Sequence, residues 1–196
     1  MKKLKSTLPN MVIVLTVTTM AAGFLLGYVY QSTAAAREKA AADKLVGAIR
    51  NVVTGFDNDP ATEKTQLTVG ANTVTVYPAT NGGELIGCAV ESCSDNGFSG
   101  RITIVVGFDL QGNILGYDVT SHSETPGLGA KMGEWFRGDG SRSVIGRNPV
   151  QTVLRVSKDG GDVDGITAAT ISSRAFLEAV NTAAEGAMQY YRQTTK

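Results

Sequence analysis

The chain has 196 residues, 42% of them hydrophobic, and its 18 basic and 18 acidic side chains give a formal net charge of zero. This length is sufficient for one domain with a real core. The balanced charge gives no electrostatic reason to expect a nucleic-acid partner. The 23 glycines favour a turn-rich antiparallel β component over a helical bundle.

An uncharged, apolar run near the N-terminus predicts a transmembrane helix. Its core, Met11–Tyr30, is about 20 residues long, or roughly 30 Å as a helix, which matches the hydrocarbon thickness of a lipid bilayer. Tyr28 and Tyr30 could lie in the aromatic belt at the interface. The competing interpretation is a cleaved signal peptide ending at Ala34-Ala35-Ala36, but the apolar part of such peptides usually has about 7–15 residues. The longer run favours a retained single-pass anchor.

The basic residues around this run favour one orientation. Lys2, Lys3 and Lys5 directly precede it, whereas the next basic residues, from Arg37 onward, lie further away. Under the positive-inside rule the N-terminus is therefore expected in the cytoplasm. The rest of the chain would then be extracytoplasmic, or periplasmic if the anchor lies in a cell inner membrane.

Residues 34–56 are predicted to form a helix that leaves the membrane as a stalk and then packs against a domain. The segment begins alanine-rich, and its later apolar residues share one side of a helix: Leu45, Ile49, Val52, Val53 and Phe56. Asn58-Asp59-Pro60 would end the helix. The predicted organisation is a tip and anchor over 1–33, a stalk and first helix over 34–60, and one domain over 61–196.

From Thr65 the apolar period changes to two, which predicts β-strands. The expected strands are Gln66–Val69, Thr73–Tyr77, Glu84–Val90, Arg101–Phe108 and Ile114–Thr120. The first two flank Gly70-Ala71-Asn72 as a hairpin, and the last two are rich in β-branched and aromatic residues. Together with the helices they predict an α+β fold with an antiparallel sheet and flanking helices.

Cys88 and Cys93 are the only cysteines. Two cysteines cannot form a zinc or iron–sulfur site without further ligands. An extracytoplasmic location would permit a local disulfide between them. The spacing leaves both the bonded and the free state open, and we assign these cysteines no redox role.

A polar loop, Ser121–Gly129, follows the last predicted strand. Its Pro126 and two glycines suit a tight turn whose backbone can approach a ligand closely. The apolar residues that follow predict a helix with one apolar face: Leu128, Met132, Trp135 and Phe136. His122 is the only histidine, which argues against a Ser-His-Asp triad or a multi-histidine metal site.

A glycine- and aspartate-rich loop, Lys158–Gly165, leads into a final amphipathic helix. The apolar side chains of that helix recur at a spacing of three to four residues: Phe176, Val180, Ala184, Ala187 and Tyr191. Thr167 and Thr170 fall near its N-terminus, where free N–H groups and the helix dipole would stabilise a phosphate. The alternative is that either threonine only caps the helix.

The segment Asp164-Gly165-Ile166-Thr167-Ala168-Ala169-Thr170 resembles the attachment motif of FMN-binding domains, which include the G subunit of Rnf electron-transport complexes. In that family a flavin transferase links FMN through its phosphate to the last threonine. The resemblance implies covalent FMN on Thr170, with Asp164, Gly165, Ile166, Thr167, Ala168 and Ala169 around it. Thr167-Ala168 stands where the family usually shows Ser-Gly.

A second motif of the same family is matched by the run Glu124-Thr125-Pro126-Gly127-Leu128-Gly129, and the likeness covers roughly residues 65–191. The resemblance implies that Glu124, Thr125, Leu128 and Gly129 line the flavin. Tyr117, Trp135 and Phe136 could stack on its ring, although core packing explains them equally well. No metal ligands and no catalytic residues are implied.

The resemblance implies an electron-transfer subunit of a membrane-bound ferredoxin:NAD⁺ oxidoreductase that couples electron transfer to Na⁺ or H⁺ translocation. Its partners would be the other subunits of the complex and the flavin transferase. With a single predicted span that contains no charge, the chain would not conduct the ion itself. The alternatives are the C subunit of a sodium-pumping NADH:quinone reductase and a membrane-anchored binding module without cofactor. A hydrolase is disfavoured because no nucleophile elbow is present.

Overall fold

The computed structural model describes residues 7–194. Lys2, Lys3 and Lys5, on which the expected orientation depends, lie outside the described residues. The chain divides into two compact units after Asp43. The predicted boundaries at residues 33 and 60 therefore stay predictions about domain organisation.

The first helix, α1, spans Leu8–Ser32 and is long and apolar enough to cross a membrane. None of its residues is buried within the chain. The hydroxyls of Thr18 and Thr19 donate to the carbonyls of Val14 and Leu15, at 2.8 and 2.9 Å, so these polar groups are satisfied within the helix. The helix is compatible with the predicted single-pass anchor by its length and composition.

Five strands form one antiparallel sheet in the order of the chain. They are β1 (Thr65–Val69), β2 (Asn72–Asn81), β3 (Glu84–Gly97), β4 (Gly100–Asp109) and β5 (Ile114–Ser121). The remaining helices are α2 (Ala34–Val52), α3 (Met132–Trp135) and α4 (Thr170–Thr194). This arrangement confirms the α+β fold. The strand β3 runs seven residues beyond the expected Val90 because its second half still pairs with β4.

One face of the sheet packs against α4. The buried side chains on this face include Val76, Val90, Ile104 and Phe108, which contact the apolar side of α4 in one continuous core. The five helix residues predicted to share a face are all buried: Phe176, Val180, Ala184, Ala187 and Tyr191. The helical period of the sequence therefore predicted the face that holds α4 on the sheet.

The opposite face packs against the end of α2. Ile49 and Val52 pack against Tyr77 and Ala89. Side chains alternate between the two faces of a strand, so these strand residues point away from α4. Gly107 lies directly beneath this helix end, and an added Cβ there would overlap the carbonyl of Val52. The helix ends at Val52, earlier than the expected residue 56, and Gly55 follows it with a φ of +85°, outside the helical conformation.

The cysteines do not form a disulfide. Cys88 is buried and Cys93 is partly buried, and both are free thiols. They lie five residues apart on the continuous strand β3, so their Cα atoms are roughly 16 Å apart and their side chains point to opposite faces. A disulfide needs Cα atoms within about 7 Å. Burial raises the pKa of the Cys88 thiol to about 12, which keeps it protonated and unreactive near neutral pH.

Candidate functional site

A cavity of about 320 Å³ lies between the turn joining β3 and β4, the loop after β5 and the start of α4. Its volume is within the usual range for small-molecule sites. The lining residues are Phe98, Glu124, Thr125, Leu128, Gly129, Ala168, Ala169, Thr170, Ile171 and Ser172. The two sequence motifs, about 40 residues apart in the chain, therefore meet at one cavity.

A tight turn forms the loop wall of this cavity. The N–H of Leu128 donates to the carbonyl of Thr125 at 3.2 Å, with Pro126 and Gly127 between them. Gly127 has a φ of +78°, the conformation that a Pro-Gly turn of type II requires at its third position. Gly129 then passes so close to α4 that an added Cβ would overlap the Ser172 hydroxyl. The glycines thus permit the turn and its approach to the helix.

The Glu124 carboxylate joins the three walls of the cavity. The residue is only 5% exposed. One of its oxygens accepts a hydrogen bond of 2.9 Å from the N–H of Ser99, in the β3–β4 turn, and the other accepts one of 2.6 Å from the Ser172 hydroxyl on α4. Because both partners donate to a buried carboxylate, Glu124 fixes the positions of the turn and the helix relative to the loop.

The helix wall begins with the turn that starts α4. The N–H of Ala169 donates to the carbonyl of Ile166 at 3.0 Å, and Ala168 at the third position of this turn has a φ of +61°. It is the only non-glycine residue with a positive φ among residues 7–194, and such a conformation costs an alanine roughly 1–2 kcal/mol. Glycine, the residue that the resembling family usually carries here, would adopt it without strain.

Thr170 is the first residue of α4 and lies at the border of the cavity. It is partly exposed, and its hydroxyl oxygen accepts a hydrogen bond of 3.2 Å from the ammonium of Lys158. That contact, with a side chain outside the helix, differs from the cap interaction that was the alternative interpretation. The hydroxyl is therefore accessible beside a positive charge and at the positive end of a 25-residue helix.

The four other residues of the attachment motif do not line the cavity but hold the preceding loop. The carbonyl of Asp164 accepts from the Trp135 indole at 2.8 Å, and its carboxylate accepts from the Ser141 hydroxyl. Ile166 is buried and donates its N–H to Ser173 at 2.8 Å. Gly165 packs beside Ser173, and Thr167 is exposed in the turn. A cofactor contact by these residues stays a prediction.

Two of the three aromatic residues considered for ring stacking lie in the core instead. Tyr117 and Phe136 are buried and pack on Phe176, with ring centroids 4.9 and 4.4 Å from its centroid. Burial raises the pKa of the Tyr117 phenol to about 12. Core packing, the alternative considered for these residues, is confirmed. Leu128 does not share their buried face as expected, because its side chain is 41% exposed at the cavity.

Sequence reasoning did not single out Phe98, Ile171 or Ser172 as site residues. Phe98 is 68% exposed at the tip of the β3–β4 turn, and Ile171 is 48% exposed beside Thr170. Large apolar side chains so exposed at a cavity form a surface that an apolar ligand could cover. The signal available in the sequence was a phenylalanine in a turn flanked by two glycines, where no core packing is expected.

A larger groove of about 420 Å³ runs along the side of α4. It is lined in part by charged and polar side chains that are already paired within the chain. Asp159 and Arg174 form an ion pair with a distance of 2.6 Å, and the amide of Asn181 bonds to both the N–H and the carbonyl of Leu154. The hydrogen bonds from Arg174 hold the pKa of the Asp159 carboxyl below its usual value. The smaller, more apolar cavity is therefore the better candidate site.

Comparisons with known proteins identify the family of the chain. The family model of the FMN-binding domain matches residues 97–185, which contain both motifs. The G subunit of an ion-translocating oxidoreductase complex from Yersinia pestis is 36% identical over 159 residues, covering 77% of this chain and 73% of the relative. The chain belongs to this family of G subunits. The resemblance deduced from the two motifs is thereby confirmed.

Other relatives with the same name align over shorter segments. The G subunit from Vibrio parahaemolyticus is 44% identical over 108 residues, covering 53% of this chain and 50% of the relative. The G subunit from Salmonella typhi is 39% identical over 119 residues, which cover 59% of this chain and 57% of the relative. The chain thus spans about half the length of these relatives. Among residues 7–194, no group of three or more His, Cys, Asp or Glu side chains could hold a metal ion.

Proposed function

We propose that this chain is the electron-carrying G subunit of an Rnf-type ferredoxin:NAD⁺ oxidoreductase that couples electron transfer to Na⁺ or H⁺ translocation. It carries FMN as a phosphoester of Thr170. The helix α1 anchors it in the cell membrane with its N-terminus in the cytoplasm and its FMN-binding domain outside. Its partners are the other subunits of that complex and the flavin transferase that matures it.

The observation that carries this proposal is the position of the Thr170 hydroxyl. It lies at the border of the cavity, is partly exposed, and is contacted by Lys158 at 3.2 Å. A phosphate on this oxygen would extend the N-terminus of α4, where helix dipoles and free N–H groups stabilise anions. Because Thr170 lines the cavity, a nucleotide attached to its side chain would have the cavity beside it.

The cavity suits the isoalloxazine ring of FMN, which is planar, aromatic and largely apolar. Phe98, Leu128 and Ile171 present exposed apolar side chains around the opening. The Glu124 carboxylate and the Thr125 residue supply polar groups at the loop wall. FMN supplies the redox chemistry, while this chain binds and orients it. A ring held at an open cavity can exchange electrons with a partner protein.

The attachment step needs an activated donor. No general base is contributed by the residues next to Thr170, and a threonine hydroxyl is a weak nucleophile alone. The separate transferase would transfer the FMN phosphoryl group from a phosphoanhydride, with FAD as the donor. The new bond joins the Thr170 oxygen to phosphorus, the pyrophosphate bond breaks, AMP leaves, and the hydroxyl proton goes to solvent. A covalent link would prevent loss of FMN by dilution outside the cytoplasm.

The full chain co-expressed with a flavin transferase tests the proposal. We expect a fluorescent band after denaturing electrophoresis and an intact mass that exceeds the bare polypeptide by one FMN minus one water. Expression without the transferase is the control and should give the bare mass. A colourless protein of bare mass in both cultures would instead support the cofactor-free binding module.

Replacement of Phe98 tests where the ring lies. Because Phe98 is 68% exposed, Phe98→Ala should change the free energy of unfolding by less than about 0.5 kcal/mol. It should nevertheless shift the visible flavin bands, and Phe98→Trp should quench flavin fluorescence through contact with the indole. Leu110→Ala, another exposed apolar side chain outside the cavity, is the matched control. Spectra identical to the wild type in both Phe98 variants would place the ring elsewhere.

A further inference from the structure

Lys158 is the basic side chain in contact with the proposed attachment oxygen. It belongs to a short 3₁₀ turn, Ser157–Asp159, and its ammonium donates to the Thr170 hydroxyl at 3.2 Å. Within residues 7–194 three ion pairs are present, and Lys158 takes part in none of them. The side chain is exposed. Its charge is therefore not neutralised by a carboxylate of the described chain.

Two features hold this turn against the first turn of α4. The neighbouring Asp159 carboxylate accepts two hydrogen bonds from Arg174, at 2.7 and 2.6 Å. Since Arg174 is four residues after Thr170, both residues lie on the same side of the helix. The turn is closed by a bridge between Val156 and Val163. The Asp159–Arg174 hydrogen bonds and the Val156–Val163 bridge therefore hold the backbone of Lys158 beside Thr170, and the Lys158 side chain is not needed for this.

We infer that Lys158 is the positioning residue for the phosphate of FMN, through an ion pair with the phosphodiester formed on Thr170. This inference rests on the proposed function. A phosphodiester carries one negative charge, and the phosphoryl group gains negative charge on its oxygens as the threonine oxygen attacks. Arg174 is engaged by Asp159, which leaves Lys158 as the cation already in contact with the reacting oxygen. Lys158 needs no proton transfer for this role, since it acts through its charge.

The expected effect on attachment is moderate because the site is open to solvent. Exposed ion pairs contribute about 0.2–1 kcal/mol, so Lys158→Ala should be flavinylated about 1.4- to fivefold more slowly at low ionic strength. Lys158→Glu should be slower still, because a like charge would face the phosphate. Lys158→Arg should retain most of the wild-type rate. Added salt should reduce the difference between the wild type and the alanine variant, since it screens exposed charges.

The test uses the full chain, purified transferase and FAD, with the rate followed by intact mass. Lys64→Ala, an exposed lysine in the loop before β1, is the matched control. A second measurement is the ³¹P resonance of the finished phosphodiester. Lys158→Ala should move this resonance, whereas Lys64→Ala should not. If Lys158→Ala were slow only because it failed to fold, the charge-retaining Lys158→Arg variant would not be expected to keep the wild-type flavinylation rate.

The outcomes separate this inference from the proposal on which it rests. Wild-type protein that never acquires FMN would refute the proposed function. Wild-type protein that acquires it, while Lys158→Ala matches Lys64→Ala in both rate and ³¹P resonance, would refute the role of Lys158 alone. A slower rate without a change in the resonance would assign Lys158 to recognition by the transferase and overturn its ion pair with the finished phosphodiester.

Discussion

A Thr170→Val variant is expected to lose all covalent flavin and to remain folded. Valine has nearly the same shape as threonine but offers no oxygen to form the phosphoester. The Thr170 hydroxyl accepts one exposed hydrogen bond, from Lys158, so its removal should cost less than about 1 kcal/mol of unfolding free energy. In-gel flavin fluorescence and intact mass after co-expression with the transferase measure the first effect. Urea unfolding measures the second.

Two companion variants make the Thr170 result specific. Thr167→Val removes the other threonine of the motif, which is exposed in the turn before α4, and should leave attachment unchanged. Thr170→Ser restores a hydroxyl at the same place and should recover covalent flavin. Covalent FMN retained in Thr170→Val would move the attachment site away from residue 170.

The elements that the sequence predicted well are those set by local periodicity. The apolar repeat from Phe176 to Tyr191 defined the buried side of α4 because one face of a helix meets the sheet. The β-branched residues of Arg101–Phe108 and Ile114–Thr120 similarly matched paired strands. In both cases the residues that form the pattern also form the core, so local preference and tertiary packing agree.

The parts that the sequence did not reveal depend on contacts between distant residues. The second half of β3 contains Ser92, Ser94 and Asp95, which have little strand preference, and it is extended because it pairs with β4. Phe98 became a site residue only because the β3–β4 turn is held beside the loop after β5. The contact of Lys158 with Thr170 likewise depends on how its turn docks on α4. No periodicity encodes such contacts.

Glu124 was predicted from the sequence as a site residue, but its contacts were not. The family resemblance selected it as a residue that lines the flavin, and it does lie on the cavity wall. The resemblance did not indicate that both carboxylate oxygens are already engaged, by Ser99 and Ser172. Its role in the protein without ligand is therefore to hold three separate segments together. A change at Glu124 should affect the shape of the whole cavity, in addition to any direct contact with the ring.

A Glu124→Ala variant is therefore expected to lose both stability and the native flavin environment. The truncation leaves the Ser99 N–H and the Ser172 hydroxyl without their acceptor, which should cost about 1–3 kcal/mol of unfolding free energy. The β3–β4 turn and the loop after β5 should then separate, shifting the visible bands of the tethered flavin. Attachment itself should persist, because the Thr170 hydroxyl remains in place. Urea unfolding and visible spectra of the flavinylated protein measure these effects.

The Glu124→Gln variant removes the negative charge but keeps a side chain that can form both hydrogen bonds. Its amide oxygen can still accept from Ser99, and its NH₂ group can donate to the Ser172 hydroxyl, which also accepts. It should therefore stay within about 1 kcal/mol of the wild type and keep the cavity closed. Glu134→Ala, an exposed glutamate on α3, controls for the loss of a negative charge. If Glu124→Ala matched Glu134→Ala in stability and spectrum, the three segments would be held together by contacts other than the Glu124 carboxylate.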